Sequence, residues 1–210
     1  MQIRTTMILL GASFMLATPA IADGFYVDGG ISLIAVDGDD LIDPVIDPQF
    51  ESLGAHFGVD VSKHFSVEGE AIIGLNSEYA IGRASTIDLG GDPAQFRWTD
   101  FTTESSLNYV VGAYARGNFP VTTKLNVFGR LGYAQVELDQ NTRVRSTVSN
   151  SDDEPVAYSV SNISVERGPA FGAGVTYDLT DKIYVRGDLT RYDIDFGEFD
   201  NLMIGAGIRF

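Results

Sequence analysis

Apolar and polar residues alternate along most of this chain, and helical spacing of apolar positions is missing. Successive side chains of a strand point to opposite faces, so the alternation predicts strands with one apolar and one polar face. Eight windows carry the pattern: 25–35, 50–61, 65–75, 105–116, 125–138, 169–179, 183–192 and 202–210. Most approach the roughly 9–11 residues that a tilted membrane-crossing strand needs. Tight turns are read at Ser62-Lys63-His64, in 120–124 and at Thr180-Asp181-Lys182, and longer connections at 36–49, 77–103, 139–168 and 193–201. Short turns at one end and long loops at the other predict an all-β fold, an eight-stranded antiparallel up-and-down transmembrane β-barrel. Phe65-Ser66-Val67-Glu68-Gly69-Glu70, Leu125-Asn126-Val127-Phe128-Gly129-Arg130 and Ile183-Tyr184-Val185-Arg186-Gly187-Asp188 each follow a tight turn. They repeat about every 60 residues, as a hairpin unit used three times would.

Parity assigns the faces. In the first seven windows odd positions hold the apolar residues, among them Phe25, Val27, Ile31, Leu53, Phe57, Val67, Leu107, Val111, Leu131 and Val175. Even positions hold Asp28, His56, Asp60, Glu68, Glu70, Arg116, Arg130, Asp178, Arg186 and Asp188. The last window swaps parity, with Leu202, Ile204, Ala206, Ile208 and Phe210 opposite Arg209. Charges reach the apolar face only at Glu51, Glu137 and Arg191, at strand ends, where a lipid-facing charge costs little. Alternation alone also fits a soluble barrel with its apolar face inside. Two features favour the inverted arrangement. Most strand glycines share the charged face, where an eight-stranded lumen is short of space. Phe25, Phe65, Phe119, Tyr177 and Phe210 cluster toward the short-turn end, with Tyr109 and Tyr133 toward the other, as two aromatic girdles would.

Residues 1–22 read as a secretory signal, with Arg4, an apolar run from Met7 to Leu16, and Ala20-Ile21-Ala22 as a small-x-small cleavage site. Residues 23–210 are then the barrel domain. The chain carries 29 acids against 14 bases, a net charge of −15. That acidity argues against nucleic acid as a partner. Without cysteine there is no disulfide and no thiolate nucleophile, and two histidines leave little for a metal site.

The ending Leu202-Met203-Ile204-Gly205-Ala206-Gly207-Ile208-Arg209-Phe210 resembles the C-terminal strand of bacterial outer-membrane barrels. The turns Phe119-Pro120-Val121-Thr122-Thr123-Lys124-Leu125 and Tyr177-Asp178-Leu179-Thr180-Asp181-Lys182-Ile183 resemble periplasmic turns of the small OmpA-type, porin-like surface-barrel family. The resemblance covers the mature chain. It implies an outer-membrane location, contact with outer-membrane lipid, and insertion by the barrel assembly machinery through the strand ending at Phe210. Because the chain stops at its last strand, no periplasmic peptidoglycan-binding domain is expected after the barrel.

The candidate site is the set of lumen charges: Asp28, Asp60, Glu68, Glu70, Arg116, Arg130, Arg186 and Asp188, with Asp178 and Arg209 on the same face. Unpaired charges in a narrow lumen cost several kcal/mol each, so they are read as a salt-bridged plug. The alternative is the polar lining of a narrow pore for small solutes. His56 near Ser32 and several acids permits a Ser-His-acid arrangement on paper, but a hydrogen-bonded lumen histidine is the simpler reading. Asp37-Gly38-Asp39-Asp40 begins like a calcium loop but has Leu41 at the fifth position and fails the spacing. Trp98 with Phe96 and Phe101 makes an aromatic group in the second loop. No catalytic, cofactor or metal site emerges. The expectation is a monomeric, non-enzymatic outer-membrane barrel with a structural or surface-interaction role through acidic extracellular loops.

Overall fold

The computed structural model describes residues 24–37, 49–88, 95–148, 155–194 and 197–210. The signal segment and most of the acidic first loop lie outside them. Nine strand segments follow in order: β1 (Gly24–Asp37), β2 (Gln49–Ser62), β3 (Phe65–Gly74), β4 (Ser77–Asp88), β5 (Gln95–Pro120), β6 (Leu125–Val148), β7 (Val156–Asp178), β8 (Ile183–Ile194) and β9 (Gly197–Arg209). All neighbours pair antiparallel. β3 and β4 are one stave interrupted at Leu75-Asn76, because both pair with β5, from Ile73↔Tyr109 onward to Ser77↔Ser106. Asn76 ties the break to β2, its Oδ1 accepting the Glu51 N–H at 2.8 Å. Pairing of β1 with β9 and of β3 with β5 closes the ring, so the described residues form an eight-stave barrel.

Burial alternates residue by residue, and it runs opposite to that of a soluble barrel. Asp28, His56, Glu68, Glu70, Arg116, Arg130, Arg186 and Asp188 are buried, whereas Val27, Ile31, Leu53, Phe57, Val67, Leu131, Phe171, Ile204 and Ile208 are exposed around the outside. An outer belt of this kind is stable only against hydrocarbon. The parity reading fails at one residue. Leu107 is buried, because a bulge at Asn108 shifts the β5–β6 register between Leu107 and Tyr109 and turns everything above it by one face.

The connections 77–103, 139–168 and 193–201 are not the open loops expected. β4 pairs with β5 from Ser77↔Ser106 to Asp88↔Gln95, and β6 with β7 as far as Ser146↔Val156. The 193–201 connection is a tight hairpin ending in the pair Ile194↔Gly197, and Gly197 takes a φ of 140°, a backbone conformation that only glycine adopts easily. β5, at 26 residues, is about 85 Å long at about 3.3 Å per residue, far more than a membrane apolar band requires. The upper halves of β4, β5, β6 and β7 therefore continue beyond the barrel as a four-stranded wing. Cross-strand polar pairs hold it: Ser77 with Ser106 at 2.7 Å, Thr103 with Thr142 at 3.0 Å, and Tyr79 donating to Glu104 at 2.9 Å.

Candidate functional site

The lumen is filled in two layers. Toward the wing, Ile34, Phe50, Ile72, Leu107, Val110, Val136, Tyr192, Ile194 and Phe199 form an apolar cluster. Toward the short turns lies a charged layer to which six of the eight staves bring charged residues. The repeated x-Val-x-Gly-x hairpins deliver it: the even residues Glu68 and Glu70 on β3, Arg130 on β6, and Arg186 and Asp188 on β8 all turn inward. β7 contributes space through Gly172 and Gly174, whose missing side chains would collide with Thr190, Phe128 and Asp188.

Glu68 sits at the centre. It accepts from Arg116 Nη1 at 2.9 Å, Arg130 Nη1 at 3.0 Å, Arg186 Nη1 and Nη2 at 2.7 and 3.0 Å, and the Tyr26 hydroxyl at 2.9 Å. Glu70 accepts from Arg130 Nη2 at 2.6 Å and from the Tyr114 and Tyr192 hydroxyls, each at 2.8 Å. Asp188 joins Arg186 Nε at 2.6 Å and Arg130 Nη2 at 3.1 Å. Asp28 accepts from the Tyr184 hydroxyl at 2.8 Å and Arg186 Nη1 at 3.2 Å. Aromatic faces carry the rest: Arg116 lies 3.7 Å and Arg186 4.7 Å from the Phe128 ring centre, and Arg130 4.5 Å from that of Tyr114.

His56 completes the layer. Its Nδ1 is 2.6 Å from Asp28 and its Nε2 is 3.0 Å from Glu70, and it is fully buried. A neutral ring would turn a lone pair toward one carboxylate, so the geometry suits an imidazolium donating from both nitrogens. With that charge, four carboxylates meet three guanidiniums and one imidazolium, and the layer is neutral. The Ser-His-acid arrangement is not assembled, because both ring nitrogens are held by carboxylates and the Ser32 hydroxyl has no hydrogen-bond partner among the described residues.

Asp60 stands apart from the other candidates. It is half-buried at the short-turn mouth, accepting from Ser66 Oγ at 2.6 Å. Asp178 and Arg209 pair with each other at that same mouth. Parity assigns a face but no height, so it grouped these three with the buried layer. Phe210 is 77% exposed at the rim, its backbone N–H bonded to the Phe25 carbonyl at 2.9 Å.

Sequence reasoning missed the wing. Its outward face carries Arg83, Arg143 and Arg145 with Asp100 and Glu104. The hydrogen-bonded Arg83 guanidinium, at 2.5 Å, holds the Asp100 carboxyl below its ordinary range. Trp98 and Phe101 do not form one group: they lie on opposite faces of β5, and the Phe101 ring covers Gly82. The signal was present in the alternation of Val156, Tyr158 and Val160.

An inverted, closed, eight-stave barrel with a charged interior and an apolar exterior is an architecture for crossing a membrane. The family described as "Outer membrane protein beta-barrel domain" matches residues 5–210. The chain belongs to this outer-membrane β-barrel family. Its location is accordingly the bacterial outer membrane. No curated protein matched the chain. Among solved structures it is similar to the outer membrane protein OprG from Pseudomonas aeruginosa, at 14% identity and a TM-score of 0.53, covering 90% of this chain and 96% of that one. It is similar also to Ail, the attachment invasion locus protein of Yersinia pestis, at 16% identity and a TM-score of 0.49, covering 89% and 99%. Neisserial surface protein A gives 13% identity and 0.49, covering 89% and 97%. These likenesses concern the fold.

Proposed function

We propose that this barrel is a surface-recognition protein, anchored by a lumen that the plug closes and making contact through the wing. The observation that carries the reading is the free edge of upper β7. β7 pairs with β8 only from Ala170↔Tyr192 to Asp178↔Tyr184, which leaves residues 156–169, among the described residues, with a strand partner on the β6 side alone. Residues 156–165 contain no charge, proline or glycine, and Val156, Tyr158, Val160 and Ile163 are exposed. Proteins ordinarily blunt such an edge with charge, proline or a bulge. The opposite edge, β4, follows that rule with Glu78, Gly82 and Arg83. An unprotected edge supports recognition of an extended segment of an extracellular partner by strand addition, with backbone hydrogen bonds supplying affinity. Recognition then rests on strands as well as on the acidic loops. The plug is a structural element, and Phe210 is where the assembly machinery would engage the last strand.

Two experiments test this. Cells expressing the chain should adhere to cultured epithelial cells more than cells without it. A variant with residues 79–102 and 141–160 replaced by short turns should lose that gain while keeping its heat-dependent gel mobility. Equal adherence of the truncated form would overturn the reading. Planar-bilayer recordings should show no discrete conductance steps, as expected of a lumen filled by the buried side chains of both layers; such steps would favour the narrow pore instead.

A further inference from the structure

All three lysines of the chain lie in the short turns, one in each: Lys63, Lys124 and Lys182. Short turns mark the periplasmic end of an outer-membrane barrel. At this end a cavity of about 230 Å3 opens below the plug. Lys63, Lys124, Arg116 and Arg209 line it, against the carboxylates of Asp60 and Asp178. Asp178 is spent on Arg209, and Asp60 accepts from Ser66. Neither Lys63 nor Lys124 has an ion pair among the described residues.

Arg116 reaches the cavity from the plug. Its side chain is only 5% exposed. Nε donates to Asn118 at 2.9 Å, and Nη1 to Glu68 at 2.9 Å. Nη2 makes no hydrogen bond among the described residues, although stacking on Phe128 fixes the guanidinium plane. A buried, immobilised guanidinium with an unspent donor at the base of a cavity, beneath two unpaired ammoniums, is a geometry for an oxyanion. The volume suits a small, partly hydrated anion and not a large organic ligand.

We propose that this periplasmic vestibule is a phosphate-binding site, with Arg116 Nη2 at its base and Lys63 and Lys124 closing on the ligand from two turns. The phosphate belongs either to a soluble phosphorylated compound or to the headgroup of an anionic phospholipid in the inner leaflet.

Isothermal titration of the full barrel in dodecylmaltoside at low salt tests the site. Inorganic phosphate is one titrant, and mixed micelles carrying phosphatidylglycerol, with phosphatidylcholine as control, are the other. Saturable binding of inorganic phosphate points to the soluble source, and binding of phosphatidylglycerol micelles alone points to the headgroup. In either case a Lys63→Gln/Lys124→Gln variant should bind about tenfold more weakly or worse, the scale of losing charge-assisted contacts. A Lys63→Arg/Lys124→Arg variant should retain binding. Heat-dependent mobility verifies that each variant is folded. No saturable binding of either titrant, or unchanged affinity in the glutamine variant, overturns the proposal.

Discussion

Replacing Arg130 with methionine is expected to cost the folded barrel about 3–5 kcal/mol, the range for removing one partner of a buried ionic network. Arg130 serves Glu68, Glu70 and Asp188, and it bonds to Thr190 through both Nε and Nη2. Its side chain has no exposure to solvent. Methionine fills much of the volume, so the loss is electrostatic: four buried carboxylates then face two guanidiniums and His56, Glu70 loses its one guanidinium partner, and the layer carries an uncompensated negative charge. Urea unfolding of the refolded barrel in micelles measures it. Adding Glu70→Gln should recover part of the loss, because it removes the excess charge, and the two changes should be strongly non-additive. Arg130→Lys should fall between, keeping charge but losing the planar fork that reaches several acceptors at once. An unchanged unfolding midpoint in Arg130→Met would show that the lumen is solvated and that its ion pairs hold nothing together.

A comparable effect is expected at the seam where the first and last strands meet. Gly30 and Gly205 are register partners there. A Cβ on Gly30 would lie 2.1 Å from the Ile204 carbonyl oxygen and 2.6 Å from Gly205 Cα, and one on Gly205 would lie 2.4 Å from the Gly29 carbonyl oxygen. The obstacle is backbone on the neighbouring strand, which cannot rotate away. Gly30→Val should therefore separate β1 from β9 and abolish the heat-resistant, fast-migrating form on gels, a loss above the roughly 1–3 kcal/mol of ordinary overpacking. Gly54→Ala is the control. Its added Cβ meets the Met203 side chain at 2.8 Å, and methionine can repack. A folded, fast-migrating Gly30→Val would refute the idea that close backbone approach sets the closure of this barrel.

Much of the fold was legible because one physical constraint acts on every strand crossing a membrane. A residue facing hydrocarbon cannot be charged except near the ends, so parity exposed the two faces of β1, β2, β3, β8 and β9 residue by residue. The lumen charges were legible for the same reason. Asp28, Glu68, Glu70, Arg116, Arg130, Arg186 and Asp188 come together in one layer, and each sits at a position where alternation places a polar side chain. The wing was not legible. Its strands lie beyond the apolar band, so no continuous apolar face is required, and the short alternation at Val156, Tyr158 and Val160 is outweighed by the polar residues around it; the pairing rests on cross-strand partners such as Thr103 with Thr142 that are far apart in sequence. A segment rich in Ser, Asn and Asp then reads as a loop. The bulge at Asn108 was hidden for a related reason. It changes no composition, only the register against β6, yet it turns Leu107 from the outer face to the interior.

By itself the sequence determined the number of membrane-crossing staves, their order, their two faces and the end at which the turns are short. Each of these follows from local periodicity and from the solvation cost of a misplaced charge. Only the tertiary structure decided the height of each polar residue along the barrel axis. Height depends on the stagger between neighbouring strands, which no single strand contains. Stagger places Asp60 at the mouth and Glu68 among three arginines, although both are even residues facing inward. It also sets His56 between Asp28 and Glu70, where a protonated ring would balance the charge of the plug.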